Sequence, residues 1–282
     1  MDSEAHRRPI DPAHSAGLFV GVSEFEDSRI REVPYAVDDA VDLAHLFVLE
    51  LGLITPESSV LALSGEPKKP ETAGRLAALL ARGVKRSKAR QSDVYRYLGE
   101  LGRSTGERGL FVVTVASHGF TDQGGDFIVA SESVAEHRLR SGVSVDEVFD
   151  DVAKAQAPRR LVLLDTCRDR FSQATRGAGD GPMSASFAAA IARATGQVVL
   201  SGATHGSYSY DDLERGNGVF SGAVIDGLRG EAAAGPDGWI TVHTLAVFLQ
   251  ERVSAWVKHN RPSHVVPVQG IGQRIDGPGS EI

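Results

Sequence analysis

The sequence predicts an α/β fold: a mostly parallel central sheet with helices on both faces. Three observations carry this expectation. Short, almost continuously apolar runs recur along the chain, as fits strands covered on both sides. Segments with helical spacing of apolar residues separate them. The two kinds of segment alternate through most of the sequence, the order expected of a single α/β layer structure.

Taken in order, GLFVGV (17–22) reads as the first buried strand, followed by a loop. Val37, Ala40, Val41, Ala44, Val48 and Leu51 then repeat at helical intervals, and Gly52 suits the end of that helix. SVLALS (59–64) is a second strand, and TAGRLAALLARG and DVYRYLGELG are helical candidates. Between those two lies a basic segment, 82–90, with Arg82, Lys85, Arg86, Lys88 and Arg90 and no acid. It reads as a solvated, exposed connector, with a docking surface for an acidic partner as the functional alternative.

LFVVTVAS (110–117) is the third strand, DFIVA a peripheral one, VSVDEVFDDVAKA a helix and RRLVLLD the fourth strand. FSQATRGAGDGPMS (171–184) reads as a mobile loop and SFAAAIARA as a helix. QVVLSGA (197–203) is a fifth strand, GVFSGAVIDGLRG a helix, and WITVHTLAVFLQERVSAWVKH a long amphipathic helix. VVPVQG adds a last edge strand. The expected organisation is a loose arm over 1–15, one domain over 16–269 and a fraying tail over 270–282.

Composition narrows the function. Apolar residues make up 41% and charged residues 24%, as in a core-forming soluble protein. The net charge of −7 disfavours direct nucleic-acid binding. No apolar run is long enough to span a membrane, and the N-terminal stretch has no apolar signal core, so a cytoplasmic location is expected. The single cysteine excludes an internal disulfide and a cysteine-built zinc site. The chain has no P-loop, no G-x-G-x-x-G turn, no G-x-S-x-G elbow and no H-E-x-x-H. His259 and His264 lack a supporting ligand pattern.

Two strand ends carry chemistry. His118 directly follows the third strand and Cys167 the fourth, two residues after Asp165. Either residue alone reads as an inert strand-end side chain. Together, at matching ends of two apolar strands, they suit a thiolate nucleophile and its proton partner, because parallel α/β sheets gather ligands beyond their carboxyl ends. Gly119 leaves room for a substrate backbone, and the N–H groups of Gly119 and Cys167 are candidate oxyanion donors.

With those residues in place, the chain resembles the caspase and metacaspase superfamily, and in particular its bacterial caspase-like proteases. The resemblance rests on GLFVGVSEFED, VPYAVDDAVDLAHLF, LFVVTVASHGF, RLVLLDTCRDR, VVLSGATHGSYSYDD, GNGVFSGAVIDGLRG and DGWITVHTLAVFLQERV, in that order, over about residues 17–268. It implies a caspase-like sandwich and a Cys–His dyad of Cys167 and His118 that hydrolyses peptide bonds. It also implies that Asp165 and Asp39 form the pocket for the substrate side chain preceding the scissile bond (P1). Two carboxylates there favour Arg, through its bidentate fork, or Lys. Asp39 could alternatively be a helix-start acid, a role that fits its neighbour Asp38 better.

Tyr208 and Tyr210 are candidates for a neighbouring subsite, and Asp211 and Asp212 for added pocket acidity. Arg176 is a candidate self-cleavage site. Relatives often need calcium, although no EF-hand spacing occurs here. By resemblance the protein is a regulated effector in stress, cell death or antiviral defence, switched on by a protein partner or signal.

Two departures stand out. Ser117 occupies a position where many relatives have glycine. Arg168-Asp169-Arg170 follows the cysteine where relatives often have a glycine-containing run. Arg168 and Arg170 could pair with the pocket acids and hold a latent state. The alternative function is a silent caspase-like pseudoprotease that acts as a binding or scaffold module.

Overall fold

The computed structural model describes residues 9–122, 125–167, 197–202, 210–232 and 239–261, with Cys167 described through its backbone. The predicted α/β sandwich is present. Parallel strands β1 (Ala16–Val22), β2 (Ser59–Ser64), β3 (Lys85–Lys88), β4 (Leu110–Asp122), β7 (Arg159–Cys167) and β8 (Val198–Ser201) lie in the order β3-β2-β1-β4-β7-β8. β5 (Gly125–Val129) and β6 (Gly142–Ser144) extend the sheet antiparallel from the far end of β4.

Alternation along the strands explains why their sequences are apolar throughout. Leu18, Val20, Phe111, Val113, Val115, Val162 and Leu164 face one way. They meet Val94, Leu98 and Leu101 of α3 (Gln91–Ser104) and Val148, Phe149 and Val152 of α5 (Val145–Ala153). Phe19, Leu61, Leu63, Val112, Leu161 and Leu163 face the other way. There they are covered by α1 (Ala36–His45), α2 (Pro70–Ala81), α6 (Val219–Asp226) and α7 (Val242–Asn260). Each side chain of this size contributes about 1.5–3 kcal/mol on burial, so two covered faces hold the sheet rigid beneath its carboxyl edge. The short helix α4 (Arg138–Ser141) leads into β6.

Helix α1 lies hard against β1. A Cβ at Gly21 would come within 2.5 Å of the Ala36 carbonyl oxygen and 2.9 Å of the Ala40 Cβ, so glycine permits the approach. Ser23 Oγ accepts the Val37 N–H at 3.1 Å and satisfies one open donor of the first turn. The segment predicted to continue this helix relaxes into a π-turn over Leu46–Glu50.

Two expectations change. The third strand does not stop before His118. β4 runs on to Asp122, because residues 119–122 leave the parallel ladder and pair antiparallel with β5. The basic segment 82–90 is not simply a connector, since Lys85–Lys88 adds β3 to the edge of the sheet beside β2. Its charges fit that place. Arg86 pairs with Glu66 at 2.6 Å, Arg90 pairs with Glu26 at 3.0 Å, and exposed lysines on an edge strand discourage further strand addition. Asp38 stands in the first turn of α1, as a helix-start acid would, and has a second role there. Its carboxylate accepts the backbone N–H groups of Lys68 and Lys69 at 2.9 and 3.0 Å, tying the loop before α2 to α1. The loop 171–184, the SFAAAIARA helix, the VVPVQG strand and the terminal arm and tail fall wholly or largely outside the described residues.

Candidate active site

β4 and β7 are direct neighbours, paired in parallel from Leu110↔Arg159 to His118↔Cys167. Paired strands lie about 4.8 Å apart. The backbones of the predicted dyad are therefore side by side at the carboxyl end of the sheet. His118 occupies the last parallel pair of β4, where the strand changes partners, and its side chain is buried.

The imidazole has a defined tautomer. Its Nε2 lies 2.7 Å from the Arg31 carbonyl oxygen. A carbonyl can only accept, so Nε2 carries the proton, and in the neutral ring Nδ1 is the basic nitrogen. Phe25 covers a face of the ring, with centroids 5.5 Å apart and planes 20° from parallel.

Ser117 points the other way, as successive strand residues must. Its hydroxyl donates to the Val129 carbonyl at 2.7 Å and is fully buried, so the extra side chain stitches β4 to β5 behind the histidine. Gly119 has its own packing reason. A Cβ there would sit 3.2 Å from the Thr166 Cβ on β7.

The two predicted pocket acids come together around Gly218. Asp39 projects from the first turn of α1 and accepts Asn217 Nδ2 at 2.8 Å and the Gly218 N–H at 3.0 and 3.1 Å. Asp165, near the end of β7, accepts the Ser221 N–H at 3.1 Å and its hydroxyl at 2.7 Å. A Cβ on Gly218 would lie 2.9 Å from Asp39 Oδ2 and closer still to Asp165 Oδ2. Both acids are buried, at 3% and 6% exposure. Burial raises the Asp39 pKa well above the usual carboxylate range and the charge of Asp165 adds to the rise, against the opposing hydrogen bonds of Asn217 and Gly218.

Asp211 belongs to the same field. Burial first, then the Asp165 charge, push it up to about 6, with Lys68 opposing. Asp212 has a different job. It accepts the N–H groups of Glu214 and Arg215 and the Trp256 indole N–H, closing the turn of the β9 (Asp211–Asp212) and β10 (Asn217–Gly218) hairpin against α7. The Tyr210 ring packs against Trp256, with centroids 5.9 Å apart and planes tilted by 35°, and the Tyr210 carbonyl accepts the Val219 N–H at 2.7 Å. Tyr208, Arg176 and the run 168–170 lie outside the described residues.

Sequence reasoning missed the supports of these acids. Asn217-Gly218 reads locally as a turn signal, yet both residues bind Asp39. Asp42 reads as a polar helix residue. It is buried and accepts Lys69 Nζ and Arg75 Nη1, each at 2.7 Å, and the Thr72 hydroxyl at 2.9 Å. Burial would raise its pKa, but the two cations outweigh that and hold it low. Lys69 Nζ also donates to Asn217 Oδ1 at 2.6 Å, so the cation stands one residue removed from Asp39. Among the described residues, no group of three or more His, Cys, Asp or Glu is arranged to hold a metal ion, and no helix is long and apolar enough to cross a membrane.

The caspase-domain family model matches residues 15–267, nearly the whole chain. The chain belongs to the caspase-domain family. Its fold is similar to that of caspase-1 from Spodoptera frugiperda, with a TM-score of 0.55, 13% identity, and coverage of 93% of this chain and 86% of that one. It is also similar to protein GSU0716 from Geobacter sulfurreducens, with a TM-score of 0.51, 14% identity, and coverage of 84% and 88%. No curated protein matches. At such identities the solved structures speak for the fold. The caspase-domain match places the chain in a cysteine-protease superfamily.

Proposed function

We propose that this caspase-domain protein is a cysteine endopeptidase that cuts after Arg or Lys. The observation that supports this best is the register of β4 and β7, which sets His118 beside Cys167 at the carboxyl edge of the sheet. In this reading the Cys167 thiolate attacks the scissile carbonyl carbon. The N–H groups of Gly119 and Cys167 hold the oxyanion. His118, with Nε2 donating to the Arg31 carbonyl, works through Nδ1. It takes the thiol proton and delivers it to the leaving amine as the C–N bond breaks. Water then hydrolyses the thioester, with His118 as base.

Asp39 and Asp165, with Asp211 beside them, give a P1 cation its counter-charges. Arginine could bridge two carboxylates, whereas lysine would meet them as a point charge. The burial of both main acids suits a pocket that opens only as substrate or an activating protein partner engages. A regulated effector role, including one in antiviral defence, extends this reading.

The test is cleavage of Arg-, Lys- and Asp-P1 fluorogenic peptides by the wild type and Cys167→Ala, with and without calcium. Cysteine-dependent cleavage after Arg or Lys is expected. Cleavage only after Asp would overturn the pocket assignment. Cleavage that survives Cys167→Ala would remove the nucleophile. A protein that stays silent while binding a partner tightly would be the scaffold module instead.

A further inference from the structure

We infer that Phe25 is a positioning residue for His118, stacking on the imidazole so that the ring cannot turn about its hydrogen bond to Arg31. This rests on the reading of His118 as the proton partner of Cys167.

Rotation of the imidazole about its hydrogen bond to the Arg31 carbonyl would carry Nδ1 out of line. A flat surface against the ring face opposes that motion. Phe25 provides one, at 5.5 Å and 20° from parallel.

Both restraints come from the same loop, between β1 and α1, and that loop is tightly held. Glu26 N–H donates to the Ser131 carbonyl at 2.8 Å, and Val33 N–H to the Ser23 carbonyl at 3.1 Å. Asp27 accepts the Ala135 N–H at 3.0 Å and the Arg29 guanidinium at 2.8 and 2.9 Å. Arg29 in turn reaches Glu136 at 2.6 Å. Ile30 is buried with Phe120, Val129 and Ala135.

Phe25 itself packs against three separate apolar clusters, which leaves its ring little room to rotate away. The aromatic face is the negative side of its quadrupole, so it also suits the imidazolium that forms when His118 takes a proton.

The experiment uses the fact that the chain has one cysteine, so mass-detected alkylation by iodoacetamide reports Cys167 alone. Rates are compared for the wild type, Phe25→Met, Phe25→Tyr and His118→Ala at pH 7, well below each melting temperature. Methionine keeps bulk without a flat ring, and tyrosine keeps the ring. Phe25→Met should slow alkylation about three- to tenfold, the range of an aromatic pair, while Phe25→Tyr stays within about twofold. The NMR signals of the His118 ring protons should lose their ring-current shift in Phe25→Met and keep it in Phe25→Tyr.

If His118→Ala slows alkylation but Phe25→Met does not, the inference is overturned and the dyad stands. If Phe25→Met and Phe25→Tyr slow it equally, the ring face is irrelevant and the inference is again overturned. If His118→Ala has no effect, the dyad reading itself fails and Phe25 has nothing to position.

Discussion

The backbone N–H of Gly218 donates to both carboxylate oxygens of Asp39, at 3.0 and 3.1 Å, while a Cβ on the same glycine would run into the Asp165 carboxylate. One residue of the hairpin after β8 thus separates two acids from different elements, one on α1 and one on β7. A side chain at 218 would have to displace one or both. Gly218→Ala should reduce kcat/KM for Arg-P1 peptides at least about tenfold and destabilise the fold by about 1–3 kcal/mol, the usual cost of overpacking. Urea unfolding and steady-state kinetics check this. Unchanged values would mean that the hairpin does not shape the pocket.

Asp211 makes this cluster of acids sensitive to pH. Its pKa is raised from the usual 3.8 to about 6, so the folded state holds this proton more tightly than the unfolded chain. Stability contributed by the protonated form is therefore lost as pH rises from about 4 through about 6. Asp211→Asn should stabilise the protein at pH 8, on the order of 2 kcal/mol after allowing for partial exposure, and much less at pH 4. If these acids receive a cationic P1 group, as proposed, binding has the opposite sign, because that group needs the ionised acid. In the wild type kcat/KM for an Arg-P1 peptide should rise through pH 6, and Asp211→Asn should flatten that step. Melting curves at the two pH values and a pH–rate profile test both halves.

How far the sequence could be read depended on whether each signal was local. The apolar runs of β1, β2, β4 and β7 carried the sheet, because strands covered on two faces need apolar residues at every position. The placement of Asp39 was legible only through resemblance. Its neighbours Asn217 and Gly218 lie nearly 180 residues away and have no local mark beyond a turn signal. Lys85–Lys88 was read as a connector because an edge strand with charged side chains lacks the apolar signature of the interior ones. Phe25 and Arg31 lie in an irregular loop, where neither periodicity applies. Ser117 departs from the glycine that many relatives have at this position. Strand alternation was already enough to send its side chain to the opposite face.

That point gives a prediction. Ser117→Ala removes the hydroxyl that donates to the buried Val129 carbonyl. It should cost about 1 kcal/mol, the usual net value of such a bond, and leave kcat/KM within about twofold. Ser117→Gly should cost somewhat more, through added backbone freedom in a strand. Urea midpoints and Arg-P1 kinetics are the measurements. A large fall in activity at unchanged stability would show that Ser117 acts on the histidine after all.

The Lys69 bridge yields a last prediction. Lys69 Nζ contacts both Asp42 and Asn217, so it neutralises a buried acid while fixing the amide that binds Asp39. Lys69→Met would leave Asp42 buried with one cation fewer, although Arg75 and Thr72 remain. Breaking a buried pair by removing one partner costs about 3–5 kcal/mol, and the remaining partners should hold this case near the lower end. The pH dependence follows from Asp42, whose pKa is depressed in the folded protein. Its contribution is present above the ordinary carboxylate range and is lost as pH falls through the lower folded value. The wild type should therefore exceed Lys69→Met in stability most clearly at pH 7, with the gap narrowing in acid. Because Asn217 is released as well, the variant should also lose affinity for Arg-P1 peptides, seen as a raised KM. Equal urea midpoints at pH 7 would show that Arg75 alone satisfies Asp42.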